Sequence, residues 1–324
     1  MKPFHFAFAL CAAVPVAALL FHAAAGDGPS KPIDGPWNRP LEQRRADPFP
    51  RIFSNHAGDR VAVDAPAQRI VSGTVFTDAL LLRICPPTRV LALHHLSTDV
   101  RYSPVAAESG EFTAHHRGSP EEILALSPDL VILSSFSREE TRRLLSRTGC
   151  PVLRFQGFAS VEDIQSNMRA FGYMIGRDEE AERLVDEMNA TLDQAAAGRS
   201  NRRAWRLLLY EAGRTAGSGT TFDSLMNWVG ASNAALELAL VGSQGVAPEQ
   251  VLALDPDALV VGVVPGGEDA AMRGLEQTPG FQSLAAVRAG RVVFVPAGLL
   301  LSTSHHLARA ATRISEVLDE WGSP

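Results

Sequence analysis

Six of the nine histidines in this 324-residue chain occur as three adjacent pairs. The pairs are His94 and His95, His115 and His116, and His305 and His306. A neutral imidazole binds Zn, Fe, Co, Ni or Cu, and it also serves as an axial ligand to haem iron. No HxxxH or HExxH spacing occurs, so a metal site would have to be assembled from separate loops. The residue types therefore indicate metal or metal-chelate binding, without a ready-made local motif.

Each pair lies close to the end of a predicted strand or the start of a predicted helix. One pair ends the strand "RVLAL", one precedes the helix "SPEEILAL", and one opens the last helix. In open α/β sheets ligands bind beyond the carboxyl ends of the strands. Adjacent residues usually point in different directions, so we expect one histidine of each pair to face a cleft. The metal candidates are His95, His116 and His305; the alternatives are solvated loop histidines or donors to a ligand's carbonyls.

Short apolar strands alternate with helices along most of the chain, which predicts parallel sheets covered on both faces. Ser119 with Glu122 and Ser160 with Asp163 form capping-box starts of two helices. A long helical stretch covers 160–198, with a break predicted at Gly176, and the alternation resumes after it. We therefore predict an N-terminal lobe over 51–159, a linking helix over 160–198 and a C-terminal lobe over 199–324.

The first 50 residues have a different composition from the rest of the chain. Residues 1–25 carry an early lysine, an apolar run and a small-residue end at Ala25, which is typical of a cleaved signal peptide. A retained N-terminal anchor is the alternative. Residues 26–50 are rich in Pro and Gly, which predicts a flexible leader. An exported, periplasmic protein is expected, and export permits a disulfide between Cys85 and Cys150, which are otherwise simply buried.

The two halves contain related segments. "SPEEILALSPDLVIL" (119–133) and "APEQVLALDPDALVV" (247–261) share Pro, Glu, Leu-Ala-Leu and Pro-Asp at the same offsets. This similarity predicts two lobes built on one plan and facing each other. The alternative is convergence, because "ALxPD" is good turn chemistry between a helix and a strand.

These segments, together with "QRIVSG", "YEAGRTAGSGTTFDSLMNWVGASNAA" and "TPGFQSLAAVRAGRVVFVP", resemble the substrate-binding proteins of ABC importers for iron–siderophores, haem and cobalamin. The resemblance extends from about Arg51 to Leu318. It implies two Rossmann-like α/β lobes with parallel sheets, joined by a single long helix, with the ligand cleft between the lobes. It also implies that one glutamate on each lobe meets arginines of the permease, and the matching residues here are Glu121 and Glu249.

Both glutamates are predicted in the first turn of a helix, where the helix dipole stabilises a carboxylate. Further cleft residues are predicted from their positions at strand ends. Phe76 could pack on a planar ligand, Tyr102 lies in a loop of the first lobe, and Arg214 could pair with a ligand carboxylate. With the six paired histidines, these three residues form the predicted ligand-binding set.

Composition and motifs exclude several classes of function. Hydrophobic residues make up 46% of the chain and the net charge is −6, so nothing favours nucleic-acid binding. No G-x-S-x-G elbow, P-loop or dinucleotide fingerprint is present, and an enzyme is not expected. We expect a monomeric binding protein without an intrinsic cofactor that captures a ferric siderophore, haem or cobalamin and delivers it to an ABC importer. The alternatives are a binder of a bare transition-metal ion and a signalling or scaffold protein on the same fold.

Overall fold

The computed structural model describes residues 34–55, 58–112 and 114–322. The predicted signal peptide, 1–25, and the first part of the predicted leader, 26–33, lie outside the described residues. None of the described helices has the length and apolar character needed to cross a membrane.

The first half of the chain contains a parallel five-stranded sheet. Its strands and the preceding hairpin are β1 (Arg51–Ser54), β2 (Arg60–Val63), β3 (Ile70–Ser72), β4 (Val90–His94), β5 (His115–His116), β6 (Leu130–Ser134) and β7 (Val152–Phe155). Its helices are α1 (Leu41–Arg45), α2 (Val75–Ile84), α3 (Ala106–Gly110), α4 (Pro120–Ala125) and α5 (Glu139–Leu145). Short 3-10 helices cover Pro36–Asn38, Pro87–Arg89 and His95–Thr98.

The strand order in this sheet is β5-β4-β3-β6-β7, and all its pairings are parallel. The order therefore runs outward in both directions from β3. The loops after β3 and β6 leave the sheet toward opposite faces, which opens a crevice at their carboxyl ends. The strands on either side of that crevice are fully buried, with every residue of β3 and β6 inaccessible. The sequence thus positions a crevice next to the loop that begins at Gly73.

The second half contains a smaller parallel sheet of the same kind. Its strands are β8 (Trp205–Leu209), β9 (Arg214–Ala216), β10 (Ala231–Asn233), β11 (Ser243–Gly245), β12 (Ala258–Val263) and β13 (Val292–Pro296). Its helices are α8 (Thr221–Val229), α9 (Pro248–Leu254), α10 (Glu268–Gln277), α11 (Ala285–Arg288), α12 (Ala297–Leu300) and α13 (Leu307–Gly322). The 3-10 helices are Arg199–Asn201, Ala234–Leu238 and Phe281–Ser283. The sheet order is β10-β8-β12-β13, and β9 and β11 form a separate antiparallel ribbon.

The internal similarity seen in the sequence corresponds to equivalent elements. The first segment forms α4 and β6, and β6 pairs with β3, the first strand of its sheet. The second segment forms α9 and β12, and β12 pairs with β8, the first strand of the other sheet. Both helices begin at a proline in the first turn, Pro120 and Pro248. The two lobes therefore use the same helix–strand unit at the same place in their sheets.

Two helices occupy the predicted linking segment: α6 (Val161–Ile175) and α7 (Asp178–Ala196). The predicted break is confirmed, since Gly176 adopts a left-handed φ of 71° and the Arg177 N–H bonds to the Gly172 carbonyl at 2.7 Å. Gln165 bonds to Asn189 at 2.6 Å, so the helices fold back on each other. The longer helix, α7, packs against α2 of the first lobe and against α8 and α13 of the second. The longer helix α7 thus contacts both lobes, and the mostly buried α6 also reaches the second lobe, where the Val161 N–H donates to the Ser224 hydroxyl at 3.1 Å.

The prediction of a flexible leader is wrong for residues 34–50. Trp37 is 1% exposed and stacks on Phe53 with ring centroids 5.8 Å apart. Arg44, also 1% exposed, forms an ion pair with Glu182 of α7. Composition alone indicated an extended chain, but one aromatic and one arginine side chain fix this segment to the helical hairpin. Its apolar anchor stabilises the fold by on the order of 2–3 kcal/mol.

The two cysteines of the described chain do not pair. Cys85 is buried and free, and Cys150 is half-buried and free. Burial raises the pKa of both thiols. The possible disulfide is therefore not formed, and both cysteines behave as small apolar side chains.

Candidate ligand-binding site

A cavity of about 690 Å³ lies at the carboxyl ends of β3, β4, β5 and β6. Its first-lobe wall includes Gly73 and Thr74, which follow β3, Val75 and Phe76 at the start of α2, and the segment 94–96 at the end of β4. The second lobe contributes the segment Leu301–Ser304, which follows α12. The cavity is therefore placed between the lobes at the crevice that the strand order creates.

The lobes meet closely at one edge of this cavity. A Cβ atom at Gly298 of α12 would lie 3.0 Å from the backbone of Ser103 and 3.2 Å from the nitrogen of Pro104. Only glycine allows this approach without a shift of backbone. Pro104 itself lines the cavity, so the contact closes one end of it.

The cavity walls are predominantly apolar. The apolar and aromatic lining side chains include Phe76, Leu96, Ile123, Leu133, Phe136, Leu144 and Leu301. The ionisable lining side chains are His94, His95, Tyr102, Arg117, Glu121, Arg138 and Glu140. An apolar pocket of several hundred Å³ with a few convergent polar groups is typical of a small-molecule site.

Of the predicted ligand-binding residues, Phe76, His94, His95 and Tyr102 line this cavity. Both histidines of the first pair face it, although only one was expected to do so. The strand ends at His94 and a 3-10 helix begins at His95, so the alternation of a strand does not continue through the pair. Their ring centroids are 4.6 Å apart.

A hydrogen bond to the ring fixes the tautomer of His94. Its Nδ1 accepts the Leu96 N–H at 3.3 Å, so in the neutral ring the proton resides on Nε2. Burial, followed by the neighbouring His95 and His116, lowers the pKa of His94 to about 3. The ring is thus neutral near pH 7 and offers a donor rather than a lone pair. By contrast, Nδ1 of His95 is buried without a hydrogen-bond partner among the described residues, which leaves His95 as the better candidate metal ligand.

Asp78 accepts hydrogen bonds from the segment 94–97, and its role was not predicted from the sequence. It is fully buried on α2, and its Oδ2 accepts the His94 N–H at 3.0 Å and the hydroxyl of Ser97. Burial raises the pKa of Asp78 to about 7. A charged residue within the apolar helix "TDALLLRI" was the signal that could have identified it.

The predicted role of His116 as a metal ligand is not supported. Its Nδ1 accepts the Gly118 N–H at 3.0 Å, and its Nε2 donates to the Ser72 carbonyl at 2.6 Å. Both ring nitrogens are therefore occupied, and the side chain is 3% exposed. His116 connects the end of β3 to the loop after β5. His115 also lies outside the cavity, with its Nε2 bonded to the Ser109 carbonyl at 3.0 Å.

The third histidine pair and Arg214 do not line the ligand cavity. His305 and His306 line a second cavity, of about 500 Å³, formed with α2, α3 and α7. Arg214 bonds to the Ser243 carbonyl at 2.9 Å within the β9–β11 ribbon and does not line the first cavity. Among residues 34–55, 58–112 and 114–322, no three His, Cys, Asp or Glu side chains are arranged to hold a metal ion. The expected shared centre of His95, His116 and His305 is therefore wrong.

Comparison with known proteins assigns the fold. Residues 70–299 match the family model described as "Periplasmic binding protein". The chain belongs to the periplasmic binding protein family. The family and its relatives are binding proteins and not enzymes, in agreement with the missing catalytic motifs.

Individual relatives of this periplasmic binding protein are distant in sequence. A "Cobalamin-binding protein" of Halobacterium salinarum is 23% identical over 282 residues, which cover 84% of this chain and 73% of the relative. The apo "Periplasmic heme-binding protein RhuT" of Roseiflexus sp. RS-1 is 23% identical, with a TM-score of 0.69, over 79% of this chain and all of that chain. A periplasmic binding protein from Veillonella parvula is 17% identical, with a TM-score of 0.71, over 82% and 96% of the two chains.

The two glutamates predicted to dock the permease occupy equivalent places in the two lobes. Glu121 and Glu249 are both exposed in the first turn of their helices, α4 and α9. Glu121 also lines the ligand cavity, whereas Glu249 lines neither of the two cavities described above. The carboxylates thus share a position in the fold and differ in their distance from the candidate site.

Other residues of the site were missed by sequence reasoning. Arg117 and Arg138 lie exposed at the cavity wall, in the loops after β5 and β6. Glu211, just beyond the end of β8, does not line the cavity; it accepts the Gly262 N–H, and burial raises its pKa to about 7. The three share a position just beyond a strand end, which was the available signal.

Proposed function

We propose that this protein is an exported substrate-binding protein that captures a metal tetrapyrrole, either haem or cobalamin, and delivers it to an ABC importer. The observation that carries the proposal is the apolar cavity between the lobes, with Phe76, Tyr102 and Phe136 in its walls. Its volume of about 690 Å³ suits a large ligand that is mostly enclosed. Named relatives that bind cobalamin and haem support the same ligand class.

His95 is the residue we propose for the metal. It lies in the wall of the cavity, and its Nδ1 has no hydrogen-bond partner among the described residues. An imidazole in this state suits axial coordination of haem iron. Arg117 and Arg138, at the cavity wall, would then pair with acidic substituents of the macrocycle. A bare metal ion is a poorer ligand here, because the site lacks a group of three ligating side chains among the described residues.

The family and the sequence support export and an importer as parts of this proposal. The predicted signal peptide, 1–25, would be removed after Ala25, and mass spectrometry of the secreted protein tests this directly. Glu121 and Glu249, exposed on equivalent helices, would dock to arginines of the permease. Paired charges of this kind fix orientation and raise the association rate.

Titration of the purified protein with haem and with cyanocobalamin, followed by visible absorption, tests the ligand. We expect one of the two to bind saturably at one equivalent. His95→Ala should weaken binding of haem at least about tenfold, which corresponds to about 1.4 kcal/mol. His115→Ala is the matched control, because His115 lies outside the cavity and should change affinity less than about twofold.

Two results would count against the proposal. Binding of neither tetrapyrrole by the intact protein would remove the ligand class. Equal effects of His95→Ala and His115→Ala would remove His95 as the metal ligand and leave the cavity itself as the binding site.

A further inference from the structure

The second cavity lies at the joint between the lobes. Its walls come from α2 and α3 of the first lobe, from the connecting helix α7 and from the N-terminal end of α13. The segment that leads into α13 has two neighbouring parts. Residues 301–304 line the ligand cavity, and His305 and His306 line this second one. The two cavities are therefore distinct and share one connecting segment.

His306 is the residue that makes this cavity unusual. It is 8% exposed, and both of its ring nitrogens are buried without a hydrogen-bond partner among the described residues. Nδ1 of His305 is in the same state, and the two ring centroids are 4.0 Å apart. A buried polar group left without a partner costs about 1–3 kcal/mol. Three such buried nitrogens, on two side chains that line one cavity, indicate a polar occupant.

The charges that act on these rings are positive. Burial, followed by Arg309 and Arg83, lowers the pKa of His306 to about 4. Burial, His306 and the same two arginines lower the pKa of His305 to about 2. The 16-residue helix α13 adds the positive end of its dipole at the same point. The first-turn N–H groups of α13 already bond to the carbonyls of residues 304–306, so the free donors here are side chains.

Negative and thiol groups also line the cavity, and they define the alternative occupant. They are Glu108, Glu111, Glu187 and Cys85. Glu187 is paired with Arg83 at 2.8 Å. Arg309 takes part in none of the ion pairs of the described residues. No three His, Cys, Asp or Glu side chains of the described chain form a metal-binding group, which argues against a cation.

We propose that the second cavity binds a small oxyanion of the phosphate or sulfate class. Arg309 supplies the charge, and the ring N–H groups of His305 and His306 donate to the oxyanion. An anion beside the rings favours their protonated forms, so binding takes up a proton and is tighter at lower pH. This site is independent of the tetrapyrrole cavity, and its test needs no tetrapyrrole.

Calorimetric titration of the purified protein with sodium sulfate tests the site at constant ionic strength. Sulfate keeps one charge state over this range, so the pH dependence reports on the protein. We expect saturable binding that is tighter at pH 5.5 than at pH 7.5, on either side of the ordinary histidine pKa of about 6.5. Phosphate should compete with sulfate, and chloride at equal ionic strength should not. Imidazole resonances of ¹⁵N-labelled histidine should show the His306 pKa rising when sulfate is added.

Variants on the same helix separate the site from general charge effects. Arg309→Gln should weaken sulfate binding at least about tenfold, the loss expected for one charge-assisted hydrogen bond. His306→Asn should remove most of the pH dependence. Arg313→Gln is the matched control, since Arg313 is exposed one turn further along and outside the cavity.

Three results would overturn the proposal. The first is the absence of saturable sulfate or phosphate binding to the intact protein. The second is equal weakening by Arg309→Gln and Arg313→Gln, which would mean non-specific attraction. The third is a shift of the His306 resonances by Zn²⁺ and not by sulfate, which would assign the cavity to a cation.

Discussion

The two cavities contain histidine pairs with opposite surroundings. In the ligand cavity, the His94 ring accepts the Leu96 N–H, and Asp78 accepts the backbone N–H of His94. In the second cavity, neither ring nitrogen of His306 has a partner among the described residues. The loop after β4 brings the Leu96 N–H to the His94 ring, whereas the first-turn N–H groups of α13 already bond to the carbonyls of residues 304–306. A buried side chain whose polar atoms are all hydrogen-bonded contributes to the fold. A buried side chain whose polar atoms lack such bonds is a candidate for binding a ligand.

The largest effect is expected from removing the side chain of Asp78, which accepts hydrogen bonds from the segment after β4. Asp78→Ala leaves the His94 N–H and the Ser97 hydroxyl without their buried acceptor. We expect the free energy of unfolding to fall by about 3 kcal/mol, measured by urea denaturation near pH 7. A loss below about 0.5 kcal/mol would mean that Asp78 does not support the segment.

Asp78→Asn provides the matched control, because it keeps the shape and removes the titration. The pKa of Asp78 is raised to about 7 in the folded state, above its ordinary value of 3.8. Its contribution to stability is therefore fully present below about pH 4 and is lost as the pH rises toward 7. Asp78→Asn should flatten stability over that window, and an unchanged pH profile would contradict this assignment.

The positions of Phe76, His94 and His95 could be predicted because short apolar runs and capping residues locate strand ends. The directions of the other histidines could not. His116 points into the sheet toward Ser72, and His306 faces away from the ligand cavity, because a short loop and a helix start set their orientation. Both depend on tertiary neighbours that lie far away in the sequence. The packing of Trp37 was missed for the same reason, since its partner Phe53 lies beyond a Pro-rich stretch.

A smaller effect is expected on the pH dependence of the free energy of unfolding, to which His306 contributes. The pKa of His306 is lowered to about 4 from its ordinary 6.5, so its contribution to stability is present above pH 6.5 and is lost as the pH falls toward 4. The full loss is on the order of 3 kcal/mol. His306→Asn should reduce the fall in the free energy of unfolding between pH 7 and pH 4.5. A fall in the His306→Asn variant equal to that of the unmodified protein would contradict the assignment.

The smallest effects are expected from Glu121 and Glu249, the exposed glutamates on equivalent helices of the two lobes. If both glutamates dock the permease, Glu121→Gln and Glu249→Gln should each slow importer-dependent uptake by several-fold, about 1 kcal/mol, through the association rate. Only Glu121 lines the ligand cavity, so only Glu121→Gln should also change tetrapyrrole affinity, by less than about threefold. Uptake by importer-containing vesicles and binding by the free protein measure the two effects separately.

Glu268→Gln, in the first turn of α10, is the control for loss of a first-turn carboxylate. A slowing of uptake by that variant equal to the other two would show that helix charge, and not docking, is the cause. Unchanged uptake with both Glu121→Gln and Glu249→Gln would remove the docking role, because the equivalence of the lobes requires the two carboxylates to act together.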